Sequence, residues 1–178
     1  MNSFEMRTFT EADKDSPELK ELEALYTRAF PPNERRPLEE LTDEKSGMIK
    51  VLGFYQHAVF CGMAVTLSAA GLVHIIYLAM EERFRGQGLG SLALEEIRKM
   101  ASGQKIMVDV ERVEDGAPNN DQRIRRIAFY RKNGYEETEV RYRWRKEDYV
   151  ILSCGGIMTK QEWKDFWDEV ETATGKNW

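Results

Sequence analysis

Cysteine, histidine and long apolar runs are all scarce in this 178-residue sequence, and each scarcity excludes something. The two cysteines, Cys61 and Cys154, stand alone in apolar stretches. They are expected as small buried hydrophobes, not as a disulfide or a metal pair. The two histidines, His57 and His74, are too far apart for a structural zinc site, so no metal is expected. No apolar run reaches the roughly 18 residues that would cross a bilayer. The first residues, Met1-Asn2-Ser3-Phe4-Glu5, lack the basic-then-apolar pattern of a signal peptide, and a cytoplasmic location is expected. Positive charge is not in excess. Lys and Arg number 26 against 31 Asp and Glu, a formal charge of −5, which disfavours non-specific nucleic-acid binding and mildly favours a cationic substrate. Internal repeats and low-complexity segments are lacking too. What remains, 42% hydrophobic and 32% charged residues, suits one globular domain over residues 1–178, with a core at 3–155 and a C-terminal helix at about 160–172 as an appendage.

The chain is organised around Leu78-Ala79-Met80-Glu81-Glu82-Arg83-Phe84-Arg85-Gly86-Gln87-Gly88-Leu89-Gly90-Ser91. The apolar run from Val73 to Met80 reads as a buried strand. After the glycines, Leu89, Leu92, Ala93, Ile97 and Met100 recur at helical spacing. A strand, a glycine-rich turn and a helix start make an anion site, because the first N–H groups of a helix have no internal partner and carry partial positive charge. Arg83 and Arg85 add fixed charge suited to phosphate oxygens. Two familiar loops do not fit. A P-loop needs Lys followed by Ser or Thr after its last glycine, and Gly90 is followed by Ser91-Leu92. A dinucleotide fingerprint anchored at Gly86 would want glycine at Ser91, although Asp109 lies near the distance of its ribose-binding acid.

Elsewhere the pattern is an alternation of short strands and amphipathic helices. Residues 3–10 alternate as a first strand. Ser16-Pro17-Glu18 starts a helix with a hydroxyl cap, proline in the first turn and an early acid, and Pro31-Pro32 stops it. Pro37 opens a short helix, Leu38 to Leu41. Three apolar stretches, Met48–Gln56, Ala58–Ser68 and Leu72–Met80, read as an antiparallel meander with His57 in its first turn. His74 lies inside the third, either as a hydrogen-bonded core histidine or as a general base with a pKa suited to taking a proton from an amine. Lys105–Glu111 is a strand. A helix follows from Asp121 to Lys132, with Ile124, Ile127, Ala128 and Phe129 apolar and a basic opposite face that includes Arg123 and Arg126. Tyr135–Trp144 and Tyr149–Gly155 form a final hairpin. Thr159-Lys160-Gln161-Glu162 is a capping box for a last helix whose Trp163, Phe166, Trp167 and Val170 form one stripe. That stripe docks on the domain or makes a dimer contact, so a homodimer stays open.

Arg85, Gly88 and Gly90 carry the pattern Arg/Gln-x-x-Gly-x-Gly/Ala, and Phe129-Tyr130-Arg131-Lys132-Asn133-Gly134-Tyr135 carries (Leu/Phe)-Tyr-x-x-x-Gly-(Phe/Tyr). Together, in this order, they resemble the GCN5-related N-acetyltransferase (GNAT) family over about residues 3–155. The resemblance implies an α/β fold with a mixed, mostly antiparallel sheet of about seven strands, splayed in the middle and flanked by helices. It implies acetyl-CoA as co-substrate, held by Arg85, Gly86, Gln87, Gly88, Leu89, Gly90 and Ser91. Backbone groups of Leu78, Ala79 and Met80 would hold the pantetheine arm and polarise the thioester carbonyl. Tyr130 would protonate the leaving thiolate, His74 or a water relay would take the amine's proton, and Glu34, after the first helix, would hold a substrate ammonium. The acceptor would be a primary amine of a small molecule or peptide. The chain departs from the family where Asn and Ala are common before the tyrosine. Arg123 and Arg126 stand there, able to meet the coenzyme's 3′-phosphate or to form a solvated face. Two other readings stay open: a catalytically silent CoA-binding module of the same fold, and a nucleotide-binding domain of another fold.

Overall fold

The computed structural model describes residues 3–175 and Trp178. Its contacts gather into two compact units. The stretch up to Ser68 joins Ile75–Met100 in the first, and Ala69–His74 joins the chain from Ala101 onward in the second. Among the described residues there are seven strands and five α-helices, an α/β fold whose strands are mostly antiparallel, as expected. No described helix is long and apolar enough to cross a membrane.

The first unit begins with β1 (Phe4–Phe9) and α1 (Pro17–Ala29). Ser16 caps α1 by accepting from the Leu19 N–H at 3.1 Å, and Pro17 sits where a missing N–H costs nothing. Leu19, Leu22, Leu25 and Tyr26 are the buried face, at i, i+3, i+6 and i+7. The helix ends where Phe30 turns extended before Pro31. The short α2 (Leu38–Leu41) follows, then β2 (Ile49–Gln56), β3 (Val59–Ala69) and β4 (Leu72–Met80). Their order is β1-β2-β3-β4, with β1 antiparallel to β2 and β2 to β3. β3 is buried along almost its whole length, from Phe60 to Leu67. This explains its continuous apolar run, since both faces are covered. Helix α3 (Leu89–Ala101) closes the unit's sequence.

One glycine governs how β4 ends. A Cβ at Gly62 of β3 would lie 2.8 Å from the Ala79 carbonyl oxygen and 2.5 Å from Met80 Sδ. Only glycine permits that approach. The Glu81 N–H then donates to the Cys61 carbonyl at 2.9 Å, fixing the chain as it leaves the strand.

The second unit holds β5 (Lys105–Glu111), α4 (Asn120–Lys132), β6 (Glu136–Trp144), β7 (Glu147–Cys154) and α5 (Lys160–Thr174). The strand order is β5-β7-β6, with β7 antiparallel to both neighbours. The β6–β7 turn is two residues, tighter than expected. Arg145 and Lys146 both take positive φ, 47° and 73°, a conformation usually left to Asn and Gly. The capping box of α5 is present, with Thr159 Oγ1 accepting from the Glu162 N–H and Glu162 from the Thr159 N–H. Phe166 and Val170 of α5 are fully buried in this unit, so the aromatic stripe docks on the chain itself.

Helix α4 differs from the amphipathic pattern read from sequence. Its buried positions are Arg123, Ile127 and Tyr130, while Ile124 is 47% exposed. Arg123 takes the inward position in place of Ile124 because every part of its guanidinium has a partner. Nε donates to Asn119 Oδ1 at 2.8 Å, Nη1 to the Arg112 carbonyl at 3.0 Å and Nη2 to Glu147 Oε2 at 2.7 Å, and Glu111 lies 3.2 Å from Nε. Neither a phosphate contact nor a solvated face describes Arg123. It is a buried tie between α4, β5 and β7.

Candidate active site

The glycine-rich turn after β4 lies in the first unit. Residues Glu82–Phe84 form one 3₁₀ turn, then the chain swings through two left-handed residues, Gly86 (φ 74°) and Gly88 (φ 80°). A Cβ at either would meet nothing within 4 Å, so the glycines serve the backbone conformation and leave open space above the turn. The first bonds of the α3 ladder run from the Ser91 and Leu92 N–H groups to the Gly88 carbonyl, at 3.0 and 3.2 Å. The amides from Gly86 to Gly90 precede that ladder, as the first amides of a helix do. Helix α3 has no acidic residue in its first turn, which keeps its positive end uncompensated. The loop is braced from within. Gln87 Nε2 donates to the Arg83 carbonyl at 2.8 Å and Arg85 Nε to the Met80 carbonyl at 3.3 Å. Beside it lies a groove of about 630 Å³ lined by Arg28, Glu81, Glu82, Arg83 and Arg85, with Arg28 of α1 paired to Glu81 at 2.7 Å. The amides ahead of the ladder, two left-handed glycines, and Arg83 and Arg85 fit a diphosphate, while Arg28 is paired with Glu81.

The connection after α1 is held to the same strand. Tyr77 of β4 donates its hydroxyl to the Glu34 carbonyl at 2.7 Å, and Tyr77, Tyr26 and Phe30 pack edge-on with ring centres 4.9 to 5.7 Å apart. The first unit thus brings together Glu34, whose side chain is exposed, the Leu78–Met80 strand end and the loop through Ser91.

His74 and Tyr130 lie in the second unit. His74 is buried, with Nε2 2.9 Å from Asp109 Oδ1, and its ring is walled by Trp163, Phe166 and Trp167 of α5. Nδ1 is buried without a hydrogen-bond partner. Burial pushes the Asp109 carboxyl up, but the His74 charge and the hydrogen bonds from His74 and Tyr142 outweigh it, so its pKa falls below the usual value. An ionised Asp109 can only accept, so His74 Nε2 carries the proton. Tyr142 of β6 donates its hydroxyl to the other carboxylate oxygen. Tyr130 is buried against Phe129 and Tyr135, and burial, aided by the Asp109 charge, raises its pKa above the ordinary phenol range. It therefore stays protonated at neutral pH.

The partnership of Asp109 with His74 and Tyr142 is not legible in the sequence. The available signal was a lone carboxylate inside the apolar run Ile106-Met107-Val108-Asp109-Val110. Among the described residues no group of three or more His, Cys, Asp or Glu could hold a metal ion.

Comparison with known proteins bears on this geometry. The sequence pattern of the acetyltransferase (GNAT) domain matches residues 41–137, more than half the chain. No curated protein matches. The fold is similar to a Bacteroides thetaiotaomicron protein described as a GNAT-family acetyltransferase, with a TM-score of 0.74 and 20% identity, covering 90% of this chain and 92% of that one. It is also similar to ribosomal-protein-S18-alanine N-acetyltransferase from Escherichia coli, with TM-score 0.56, 17% identity and coverage of 89% and 97%. A GNAT family acetyltransferase from Elizabethkingia anophelis with acetyl-CoA bound gives TM-score 0.56, 16% identity and coverage of 86% and 99%. At these identities the likeness is one of fold, and the domain match supplies the family: the chain belongs to the GNAT acetyltransferases.

Proposed function

We propose that the protein transfers the acetyl group of acetyl-CoA to a primary amine of a small molecule or peptide by direct attack. The observation that carries this reading is the turn at Gly86 and Gly88, whose left-handed backbone leaves the amides ahead of α3 open beside Arg83 and Arg85. The amides of residues 86–90 take the diphosphate of the co-substrate, helped by the uncompensated helix end, while the Ser91 N–H is already bonded to the Gly88 carbonyl. Backbone groups of Leu78 and Met80 hold the pantetheine arm, and the N–H of Leu78 or Ala79 polarises the thioester carbonyl as negative charge develops on its oxygen.

Each remaining group has one task. The neutral amine nitrogen forms a bond to the carbonyl carbon, and the carbon–sulfur bond breaks. Tyr130 gives its phenolic proton to the departing thiolate, a role supported by its burial in the protonated form. The proton lost by the nitrogen passes to His74 or through water. A water relay suits the observed burial of the imidazole and the engagement of its Nε2 by Asp109. Glu34, exposed in the turn after α1, offers a carboxylate to an ammonium of the acceptor. Titration with acetyl-CoA against a broad amine panel, read as release of free thiol, tests the function. Thiol release that depends on an amine is the expected result. Coenzyme binding without release from any amine would favour a silent binding module instead.

A further inference from the structure

The connection between α1 and α2 is neither helix nor strand, yet its shape is fixed. Pro31, Pro32 and Pro37 lock φ at both of its ends. Between them the Glu34 and Arg35 N–H groups both donate to the Pro31 carbonyl, at 2.9 and 3.2 Å. These local bonds leave open how the turn sits against β4. Two buried tyrosines of the same unit decide that. Tyr77 of β4, 7% exposed, donates its hydroxyl to the Glu34 carbonyl at 2.7 Å. Tyr26 of α1, 3% exposed, accepts from the Arg36 N–H at 3.0 Å and donates to the Arg36 carbonyl at 3.1 Å.

A buried hydroxyl costs stability unless it is bonded. Phenylalanine in either place would keep the ring contact with Phe30, so what the hydroxyls add is these three bonds to the backbone of the connection. They hold Glu34 by its main chain and leave its side chain exposed. Tyr77 directly precedes Leu78, whose backbone is assigned to the pantetheine arm, so one strand sets the places of both the carboxylate and the thioester. We propose that Tyr26 and Tyr77 are positioning residues for the acceptor, which fix the Glu34 carboxylate relative to the end of β4 and so set acceptor affinity without touching the coenzyme. This rests on the acetyltransferase reading and on the part Glu34 takes in it. Without the hydroxyls the turn keeps its internal shape but moves as a unit. Glu34 is then in place for only a fraction of the time, and acceptor affinity falls by that fraction.

The test uses the full chain, the variants Tyr26→Phe and Tyr77→Phe, and acetyl-CoA with 1,6-diaminohexane as the acceptor probe. Each variant is expected to raise the KM of the diamine about five-fold or more, with kcat and CoA affinity within about two-fold of the wild type. Glu34→Gln keeps the carbonyl that Tyr77 holds, and in that background the further rise should vanish, which a merely structural role would not produce. Hydrogen exchange reads the clamp without any acceptor. The Arg36 amide should exchange roughly ten-fold faster in Tyr26→Phe, while the amides of Leu22 and Leu25 in α1 are unchanged. An unaltered KM, an equal rise with and without the Glu34 carboxylate, or unaltered exchange at Arg36 overturns the proposal. Failure of the underlying reading shows separately, as a wild type that binds CoA but releases thiol with no amine, and it removes the acceptor role as well.

Discussion

In the proposed reaction, the residue that would separate catalysis from mere binding is Tyr130. Its hydroxyl is retained as a proton donor by burial and by the Asp109 charge, neither of which a phenylalanine would need. Tyr130→Phe is predicted to lower kcat by about 10²-fold or more while CoA affinity is unchanged, read by steady-state thiol release and calorimetry. Asp109 carries a second prediction. Its folded pKa is depressed, so its ionisation stabilises the fold above the unfolded carboxyl pKa, and that contribution is lost as pH falls through the lower folded value. Acid unfolding curves of wild type and Asp109→Asn should therefore diverge at neutral pH and converge below about pH 4. Curves separated by a constant amount across that range would contradict the assignment. Arg123 is the third case. Its removal strands Glu111 and Glu147 without their shared cation, and Arg123→Met is predicted to cost about 3 kcal/mol in chemical denaturation. These residues also mark the limit of what the sequence discloses. Tyr130 could be read from a local phrase, whereas the meaning of Arg123 depends on Glu147, 24 positions away, and that of Asp109 on Tyr142, 33 away.

Elements were more legible than contacts. Helix α1 could be placed from Ser16-Pro17 and Pro31, and α5 from its capping box, because caps and prolines act within a few residues. Strands β2 to β4 showed as apolar runs bounded by turn residues. The β6–β7 turn did not, since Arg145-Lys146 is forced into the left-handed region by the pairing of the strands on either side. The turn between β4 and α3 makes the element-scale prediction. Gly88→Ala places a Cβ on a residue at φ 80°, so the backbone must change to relieve it. CoA affinity is expected to fall by roughly ten-fold, more than the change in thermal stability accounts for. An Ala variant with unaltered CoA affinity would show that the loop conformation is unimportant.

At the scale of the whole molecule, the residues that the family resemblance singles out lie in both units: the glycine-rich loop and the Glu34 connection in the first, Tyr130 and His74 in the second. Helix α5 covers His74 with Trp163, Phe166 and Trp167. The acceptor was not legible because the connections that would line its pocket carry no local pattern that fixes their shape. The central claim is that the amides from Gly86 to Gly90 grip the diphosphate of acetyl-CoA while the end of β4 presents its thioester. A crystal structure of the protein grown with acetyl-CoA tests it most directly. The account predicts diphosphate oxygens within hydrogen-bonding distance of those amides and the thioester carbonyl beside Leu78 and Ala79. Acetyl-CoA bound elsewhere, with those amides turned away from it, would contradict the account.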